Sequence, residues 1–245
     1  MKRLTILAAA FAVCVLSKAQ SDSYTMQVYL SGGDVKSYQV SEVDSVVFVE
    51  TDVDSDDTTS SGTTYINGYT AVDLGLSVKW ATCNVGASSP EDYGDYFAWG
   101  ETETKDNYSS STSVTYEVEM DDISGNADYD AATANWDGSW RMPTYDEMEE
   151  LRDNCTWTWT TENDVNGYLV TGSNSNSIFL PATGYRSGTS LYNAGSYGYY
   201  WSSTPYASSS IYAYYLYFYS DYDYGYGYDY YGRRYFGHTV RPVAE

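Results

Sequence analysis

The sequence is poor in histidine, in cysteine and in basic side chains. It holds one histidine, His238, and three cysteines among 245 residues. A single histidine excludes zinc sites that are built on several histidines, and it requires any Ser-His-Asp triad to be centred on His238. The position of this residue beside Gly237, near the C-terminus, is more typical of a loop or surface histidine than of a catalytic base.

Basic residues are few in relation to acidic ones. The chain has 12 Lys and Arg against 34 Asp and Glu, which gives a formal net charge of −22. Because binding of nucleic acid or anionic lipid relies on clustered positive charge, the composition disfavours both as partners. Cations, neutral glycans and basic protein surfaces stay open as partners. Solubility outside the cell is the preferred explanation of the acidity.

Long apolar runs are missing after the N-terminus, where one short run begins at Leu4 and ends at Leu16. Two basic residues precede this run, and Ser17-Lys18-Ala19 supplies the small residues that a signal peptidase requires. Residues 1–19 are therefore predicted to be a removable export signal, too short to span a membrane as a permanent helix. We expect an exported protein, at an extracellular, cell-surface or periplasmic location, with no stable membrane span.

Removal of this signal changes both the charge and the cysteine content. It takes away Lys2, Arg3 and Lys18, so the remaining chain has 9 basic and 34 acidic residues and a formal charge of −25. Cys14 lies inside the signal and is an alternative site for a lipid anchor. A lipidation motif requires a small residue directly before the cysteine, whereas Cys14 follows Val13.

Cys83 and Cys155 are the two cysteines that follow the signal. An exported protein meets conditions in which disulfides persist, so these two thiols are candidates for a disulfide. Closing a loop of this length would stabilise the fold by about 4 kcal/mol in the chain-entropy description. The sequence alone leaves paired and free thiols equally open.

Three segments are expected after the export signal. Residues 20–50 alternate apolar and polar residues and form a small N-terminal β unit. Residues 51–64 consist mainly of Asp, Ser and Thr and form a flexible acidic linker, which is favoured over an incomplete calcium loop. Residues 65–245 hold all seven tryptophans and are long enough for one well-cored domain.

This last domain is predicted to be α+β, with few helices, many short strands and long loops. The clearest helix begins after Pro143. Thr144 and Glu147 have the spacing of a capping box, and Met148 and Leu151 have the spacing of an apolar helix face. Trp157 and Trp159 share a strand face; they could stack on a sugar ring, but a position in the core is favoured.

Tyrosine is concentrated near the C-terminus, where 17 of the 30 tyrosines fall between Tyr192 and Tyr235. Many stand at every second position and are interleaved with Ser, Asp and Gly, a composition typical of antibody paratopes. Since strand side chains alternate between faces, Leu216 and Phe218 are expected to enter a core while the tyrosines between them point to the other side. The predicted ligand-binding residues are Tyr215, Tyr217, Tyr219, Asp221, Tyr222, Asp223, Tyr224, Tyr226, Tyr228, Asp229, Tyr230, Arg233 and Arg234.

A series of short motifs lies between residues 65 and 245. The motifs are Val72-Asp73-Leu74-Gly75-Leu76, Lys79-Trp80-Ala81-Thr82-Cys83-Asn84-Val85-Gly86-Ala87, Tyr93-Gly94-Asp95-Tyr96-Phe97-Ala98-Trp99-Gly100-Glu101, Trp140-Arg141-Met142-Pro143-Thr144, Phe179-Leu180-Pro181-Ala182, Gly184-Tyr185-Arg186, Tyr200-Trp201-Ser202-Ser203 and Val240-Arg241-Pro242-Val243. Together they resemble the Fibrobacter succinogenes major paralogous domain. The resemblance implies a C-type-lectin-like fold, related to formylglycine-generating enzymes, in secreted or surface proteins of gut-type Gram-negative bacteria.

The same resemblance implies a link to diversity-generating retroelements, whose target proteins use this fold and end in a variable region. Mutation directed at adenines in asparagine codons there yields Tyr, Asp, Ser, Gly and related residues. A fixed scaffold would then alternate with varied positions. The scaffold would comprise Trp201, Ser202, Ser203, Leu216, Phe218, Gly237, Val240, Arg241 and Pro242.

Chemistry known in this fold is missing from the sequence. Formylglycine-generating relatives need a cysteine pair late in the domain, whereas no cysteine follows Cys155, and the iron-dependent sulfoxide synthases need several histidines. The Glu-Pro-Asn and Gln-Pro-Asp signatures of calcium lectins are absent as well. We therefore expect a non-enzymatic binding protein with no catalytic residue, metal or cofactor and with an unknown protein or glycan ligand. The alternative is a structural or self-associating cell-envelope protein.

Overall fold

The computed structural model describes residues 62–220 and 231–245 with their side chains. It also describes the backbone of residues 228–230 and of four strands near the N-terminus. The chain divides into two compact units, residues 1–59 and residues 60–245.

The first unit contains one antiparallel sheet in the order β1-β2-β3-β4. Its strands are β1 (Thr5–Leu7), β2 (Val13–Lys18), β3 (Tyr24–Tyr29) and β4 (Val35–Gln39). The strands β3 and β4 lie where the sequence predicts a small β unit. The strands β1 and β2 fall inside the predicted export signal, which stays a prediction.

The second unit contains four sheets and two helices among the residues described there. The helices are α1 (Ala131–Trp136) and α2 (Tyr145–Asn154). The strands are β5 (Thr63–Ile66), β6 (Tyr69–Val72), β7 (Lys79–Ala81), β8 (Thr156–Glu162), β9 (Val165–Thr171), β10 (Ser177–Pro181), β11 (Tyr185–Ser187), β12 (Ser190–Tyr192), β13 (Tyr197–Pro205), β14 (Tyr212–Tyr219), β15 (Tyr228–Arg233) and β16 (Val243–Ala244). The predicted α+β class, with few helices and many short strands, is confirmed.

One sheet of this unit pairs a strand from the end of the chain with strands from the start of the unit. They have the orders β16-β7-β6-β5, β10-β9-β8, β11-β12 and β13-β14-β15, and all strand pairs within them are antiparallel. The last strand, β16, therefore pairs with β7 near the start of the unit. Strand β5 begins at Thr63, so the end of the predicted linker at residues 51–64 belongs to the folded unit. Residues 51–61 lie outside the described part of the chain.

The capping box predicted at the start of α2 is present. The Thr144 hydroxyl accepts a hydrogen bond from the Glu147 N–H, and the Glu147 carboxylate accepts one from the Thr144 N–H. Met148 and Leu151 are buried, as their spacing predicts. Helix α1 was not predicted; it begins after Asp130, whose carboxylate accepts hydrogen bonds from two N–H groups of its first turn.

Two large apolar clusters and a smaller one, which contains Tyr96 and Tyr108, form the core of the second unit. The first is built around Trp99, Trp140 and Trp201, and the second around Trp80 and Tyr200. Buried tyrosine hydroxyls find carbonyl acceptors, for example Tyr200 at Pro181 and Tyr96 at Thr183. Those bonds remove the penalty that an unpaired hydroxyl would carry in a core.

Trp157 and Trp159 pack against the second cluster, which supports the core interpretation over sugar stacking. Their rings lie 5.5 and 5.0 Å from the ring of Tyr168.

The candidate disulfide is not formed in this structure, where Cys83 and Cys155 are both free thiols. Cys83 packs against the first cluster and Cys155 against the second. Each thiol is thus held among different core side chains and has no sulfur partner. Burial raises the pKa of Cys155 to about 11, and the negative charge of Glu150 acts in the same direction.

Candidate functional site

The three-stranded sheet β13-β14-β15 carries most of the predicted binding residues that the structure describes. Its central strand, β14, runs antiparallel to both neighbours, with Tyr217 opposite Tyr199 and Tyr219 opposite Tyr197. Leu216 is 3% exposed and enters the second core cluster on one face of this strand.

The other face of the same strand carries partly exposed tyrosines. Phe218 is buried with Leu216, whereas Tyr215, Tyr217 and Tyr219 between and beside them are half-buried. The prediction that Leu216 and Phe218 enter the core while the tyrosines of β14 point to the other side is confirmed.

Strand β13 adds two further rings to the side of the sheet that carries these tyrosines. The ring of Tyr199 lies 5.1 Å from that of Tyr217, and the ring of Tyr197 lies 5.3 Å from that of Tyr219. Within β14 the rings of Tyr217 and Tyr219 are 5.7 Å apart. We call this continuous surface the tyrosine face; its members are Tyr197, Tyr199, Tyr215, Tyr217 and Tyr219.

Tyr199 and Tyr217 of this face keep their protons at neutral pH. Burial is the main cause that raises the pKa of both Tyr199 and Tyr217, and the nearby tyrosines raise that of Tyr217 further. A protonated phenol both donates and accepts hydrogen bonds. The face thus combines apolar ring area with polar groups of both kinds.

A glycine opposite Phe218 fixes the pairing of β13 with β14. Gly198 is paired with Phe218, and a Cβ atom at Gly198 would lie 2.1 Å from Cζ of that ring. The Phe218 ring therefore covers the Gly198 backbone and fills the space of its missing side chain. This contact holds β14 in the register that exposes Tyr217 and Tyr219.

A cleft of about 300 Å³ lies beside the tyrosine face, near the start of β14. Aromatic side chains dominate its walls. It is lined by Tyr185, Tyr199, Tyr212, Tyr215, Tyr231, Gly232, Arg233, Phe236 and His238.

His238 contributes to this cleft as a buried residue, which corrects the expectation of a surface or loop histidine. It is 1% exposed, and its ring is stacked on Trp201 at a centroid distance of 4.0 Å. Two backbone hydrogen bonds fix its position: the His238 N–H donates to the Phe97 carbonyl, and the Phe97 N–H donates to the His238 carbonyl. Burial lowers the pKa of the imidazole well below its ordinary value, so the ring is neutral at physiological pH.

The two adjacent arginines have different roles, and the structure corrects the prediction for one of them. Arg233 is exposed, lines the cleft and donates a hydrogen bond to the Tyr235 hydroxyl. Arg234 is 1% exposed, and its guanidinium lies 4.2 Å above the ring of Trp99. Its guanidinium donates to the backbone carbonyls of Thr115, Val118 and Tyr212.

Arg234 is therefore a structural residue of the interior and not a ligand-binding one. Burial lowers its pKa to about 10, which leaves it charged at neutral pH.

Eight of the predicted binding residues have side chains outside the described part of the chain. Asp221, Tyr222, Asp223, Tyr224 and Tyr226 lie between the described segments. The backbone of the remaining three belongs to β15: these are Tyr228, Asp229 and Tyr230.

The residues expected to form a fixed scaffold are all buried. The set comprises Trp201, Ser202, Ser203, Leu216, Phe218, Gly237, Val240, Arg241 and Pro242. Arg241 is fully buried and donates to Asn84 and to the carbonyls of Ala81 and Thr82.

Eight residues of the cleft or the tyrosine face were not among the predicted binding residues: Tyr185, Tyr197, Tyr199, Tyr212, Tyr231, Gly232, Phe236 and His238. The pattern Tyr197-Gly198-Tyr199 carried the alternation that could have revealed two of them. Tyr185 and Phe236 gave no local signal, because long-range pairing brings them to the cleft. His238 was singled out but assigned to the surface.

The described residues carry neither a candidate metal site nor a candidate membrane-spanning helix. No group of three or more His, Cys, Asp and Glu side chains is placed to hold a metal ion there. Among the same residues, no helix is both long and apolar enough to cross a membrane.

Part of the chain is similar to a known protein family. A family model described as a domain of unknown function (DUF8237) matches residues 143–243. Neither the curated proteins nor the solved structures gave a match. The tyrosine face and the cleft both lie within the segment that is similar to this family.

Proposed function

We propose that this chain is an exported, non-enzymatic binding protein that recognises a protein or glycan through its tyrosine face. The observation that carries this proposal is the two-sided sheet β13-β14-β15. Its core side anchors Leu216 and Phe218, while its other side offers a continuous patch of half-buried tyrosines beside an aromatic cleft. Ligand sites commonly combine aromatic walls with a few polar groups in this way.

The tyrosine face suits recognition for an energetic reason. A tyrosine ring offers a large contact area with only two side-chain torsions to fix, so ordering it on binding costs little conformational entropy. Here the rings already contact one another, with centroids of Tyr197 and Tyr217 5.8 Å apart, which restricts them further before any ligand arrives. Preorganisation of this kind strengthens binding.

The proposal includes a C-type-lectin-like scaffold diversified by a retroelement. It is supported by the burial of all nine expected scaffold residues next to half-buried tyrosines at intervening positions. A nearby template repeat that differs from the gene only at adenines, together with a reverse transcriptase gene, would support diversification. Absence of both from the genome would refute this part alone.

The test is a glycan and protein array probed with the full chain and with a Tyr217→Ser/Tyr219→Ser variant. A Tyr65→Ser/Tyr129→Ser variant is the matched control, because it removes two exposed tyrosines outside this sheet. We expect binding by the wild type and the control, and a loss of tenfold or more in the first variant, with its circular dichroism unchanged.

Equal binding by all three proteins would contradict the assignment of the tyrosine face. Concentration-dependent self-association without any ligand would instead favour a structural cell-envelope role. Analytical ultracentrifugation of the same three proteins distinguishes the two functions, since only self-association through the face would be lost in the Tyr217→Ser/Tyr219→Ser variant.

A further inference from the structure

The cleft contains a buried hydrogen-bonding group without a partner. Nδ1 of His238 is buried and forms no hydrogen bond to the residues that the structure describes. A buried polar group left unpaired destabilises the fold, so native proteins rarely retain one without a reason. The other polar contacts of this residue are backbone bonds to Phe97.

The imidazole of His238 lines the cleft beside Gly232. Cε1, the atom between the two nitrogens, would lie 3.6 Å from a Cβ atom placed on Gly232, a cleft-lining residue. Because Gly232 has no side chain, the rings of Tyr215 and His238 can both lie close to its backbone. A Cβ atom there would also approach Cε1 of Tyr215 to 2.8 Å.

The dimensions and walls of the cleft restrict what it can hold. A volume of about 300 Å³ lies at the lower end of the range for small-molecule sites and suits one six-membered ring. Rings of Tyr199, Tyr215 and Phe236 approach the imidazole to 5.3, 4.8 and 6.4 Å and supply apolar walls.

The charges around the cleft point to a neutral ligand. Among the residues that the structure describes, no carboxylate lines it, and the imidazole is neutral because burial disfavours its charged form. Arg233, the one charged lining residue among those described, is exposed to solvent, which screens its charge, and it donates to the Tyr235 hydroxyl. A neutral ring with a hydroxyl group would satisfy the imidazole while its faces contact the aromatic walls.

We propose that this cleft binds one neutral hydroxylated ring of the ligand and that His238 is the hydrogen-bonding residue at its floor. The inference rests on the proposed function, because it names the ligand chemistry of one part of the same site. Two sources share this chemistry, a pyranose unit of a glycan and the phenol ring of a tyrosine side chain. Both are included in the test.

The test uses the full chain labelled on its single histidine, so that NMR gives one imidazole signal set, which belongs to His238. The probes are methyl pyranosides and p-cresol, each paired with an analogue that lacks the hydroxyl groups, 2-methoxytetrahydropyran and toluene. We expect at least one hydroxylated probe to shift the ring nitrogen resonances and to bind at least tenfold more tightly than its analogue. The pair that shows this preference identifies the source as glycan or protein.

The His238→Phe variant keeps an aromatic ring on Trp201 and removes both nitrogens. We expect this variant to bind the hydroxylated probe and its analogue about equally, so that the tenfold preference is lost. Loss of folding would instead abolish binding of both members of a pair. The Tyr65→Ser/Tyr129→Ser variant should keep the wild-type preference. Gly232→Ala provides a second test that leaves the imidazole in place, and it should weaken both probes.

The proposal is overturned if no probe shifts the imidazole signals of the wild type at millimolar concentration. It is equally overturned if His238→Phe is folded and retains the preference. Failure of this inference can be told apart from failure of the proposed function. If array binding depends on Tyr217 and Tyr219 but no probe ring binds in the cleft, only the present inference is refuted. Ring binding without any array dependence removes only the proposed function.

Discussion

The imidazole of His238 lies nearly parallel to the indole of Trp201, with ring centroids 4.0 Å apart and 21° between the ring planes. The indole N–H of Trp201 donates to the carbonyl of Phe97, and the backbone of Phe97 in turn exchanges two bonds with His238. This arrangement joins the floor of the cleft to the first core cluster. The stability of the fold therefore depends on the protonation state of His238.

We predict that His238 causes a loss of stability on acidification. Burial lowers its folded-state pKa well below the ordinary 6.5, so the unfolded chain binds a proton that the folded chain excludes. The contribution of the neutral ring is complete above about pH 6.5 and falls below it by about 1.4 kcal/mol per pH unit, until the folded-state pKa is reached. Guanidinium unfolding of the wild type between pH 5 and 8 measures this slope.

The His238→Phe variant is the control, because it has no proton to bind at this position. Its unfolding free energy should change less between pH 6.5 and 5 than that of the wild type. Tyr199, which packs on the imidazole, does not titrate in this range, because burial raises its pKa. Titration of the folded-state imidazole signal near pH 6.5 would contradict the prediction.

Adjacent arginines should differ sharply in their effect on stability. Arg234→Met removes the hydrogen bonds to three interior carbonyls and the contact of the guanidinium with Trp99, so we expect a loss of about 3 kcal/mol in the free energy of unfolding. Arg233→Met changes an exposed side chain and should alter stability by no more than about 0.5 kcal/mol. Urea denaturation of both variants tests this contrast, and similar losses in the two would show that Arg234 is misassigned.

Elements defined by local chemistry could be predicted from the sequence. The capping box at Thr144 and Glu147 satisfies backbone groups within one turn, so its spacing alone specifies the start of α2. Leu216 and Phe218 enter the core because the alternation of a strand is a local property as well.

Positions set by distant parts of the chain could not be predicted in the same way. His238 is buried because it pairs with Phe97 and stacks on Trp201, and neither residue is near it in sequence. Arg234 is buried because the carbonyls of Thr115 and Val118 accept its hydrogen bonds. Two neighbouring arginines look alike in a sequence, and only tertiary contacts separate their roles.

The free thiols of the second unit give a further prediction. Because burial raises the pKa of Cys155 to about 11, its thiolate should be scarce at pH 8, and the folded thiol should react with iodoacetamide roughly a hundredfold more slowly than the unfolded one. Mass spectrometry of peptides from the native and the denatured protein measures both rates. A peptide pair linked through Cys83 and Cys155 under non-reducing conditions would contradict the structure.

The contact between Gly198 and Phe218 allows the pairing of β13 with β14 to be tested directly. A methyl group at Gly198 would lie 2.1 Å from the ring, so Gly198→Ala should overpack this site and lower the free energy of unfolding by about 1–3 kcal/mol. Phe218→Leu shortens the opposing side chain and makes room for that methyl group. In a double-mutant cycle the combined variant should therefore lose less stability than the sum of the single changes, by about 1 kcal/mol. Additive losses would mean that the two residues do not face each other, and the register that exposes Tyr217 and Tyr219 would then be wrong.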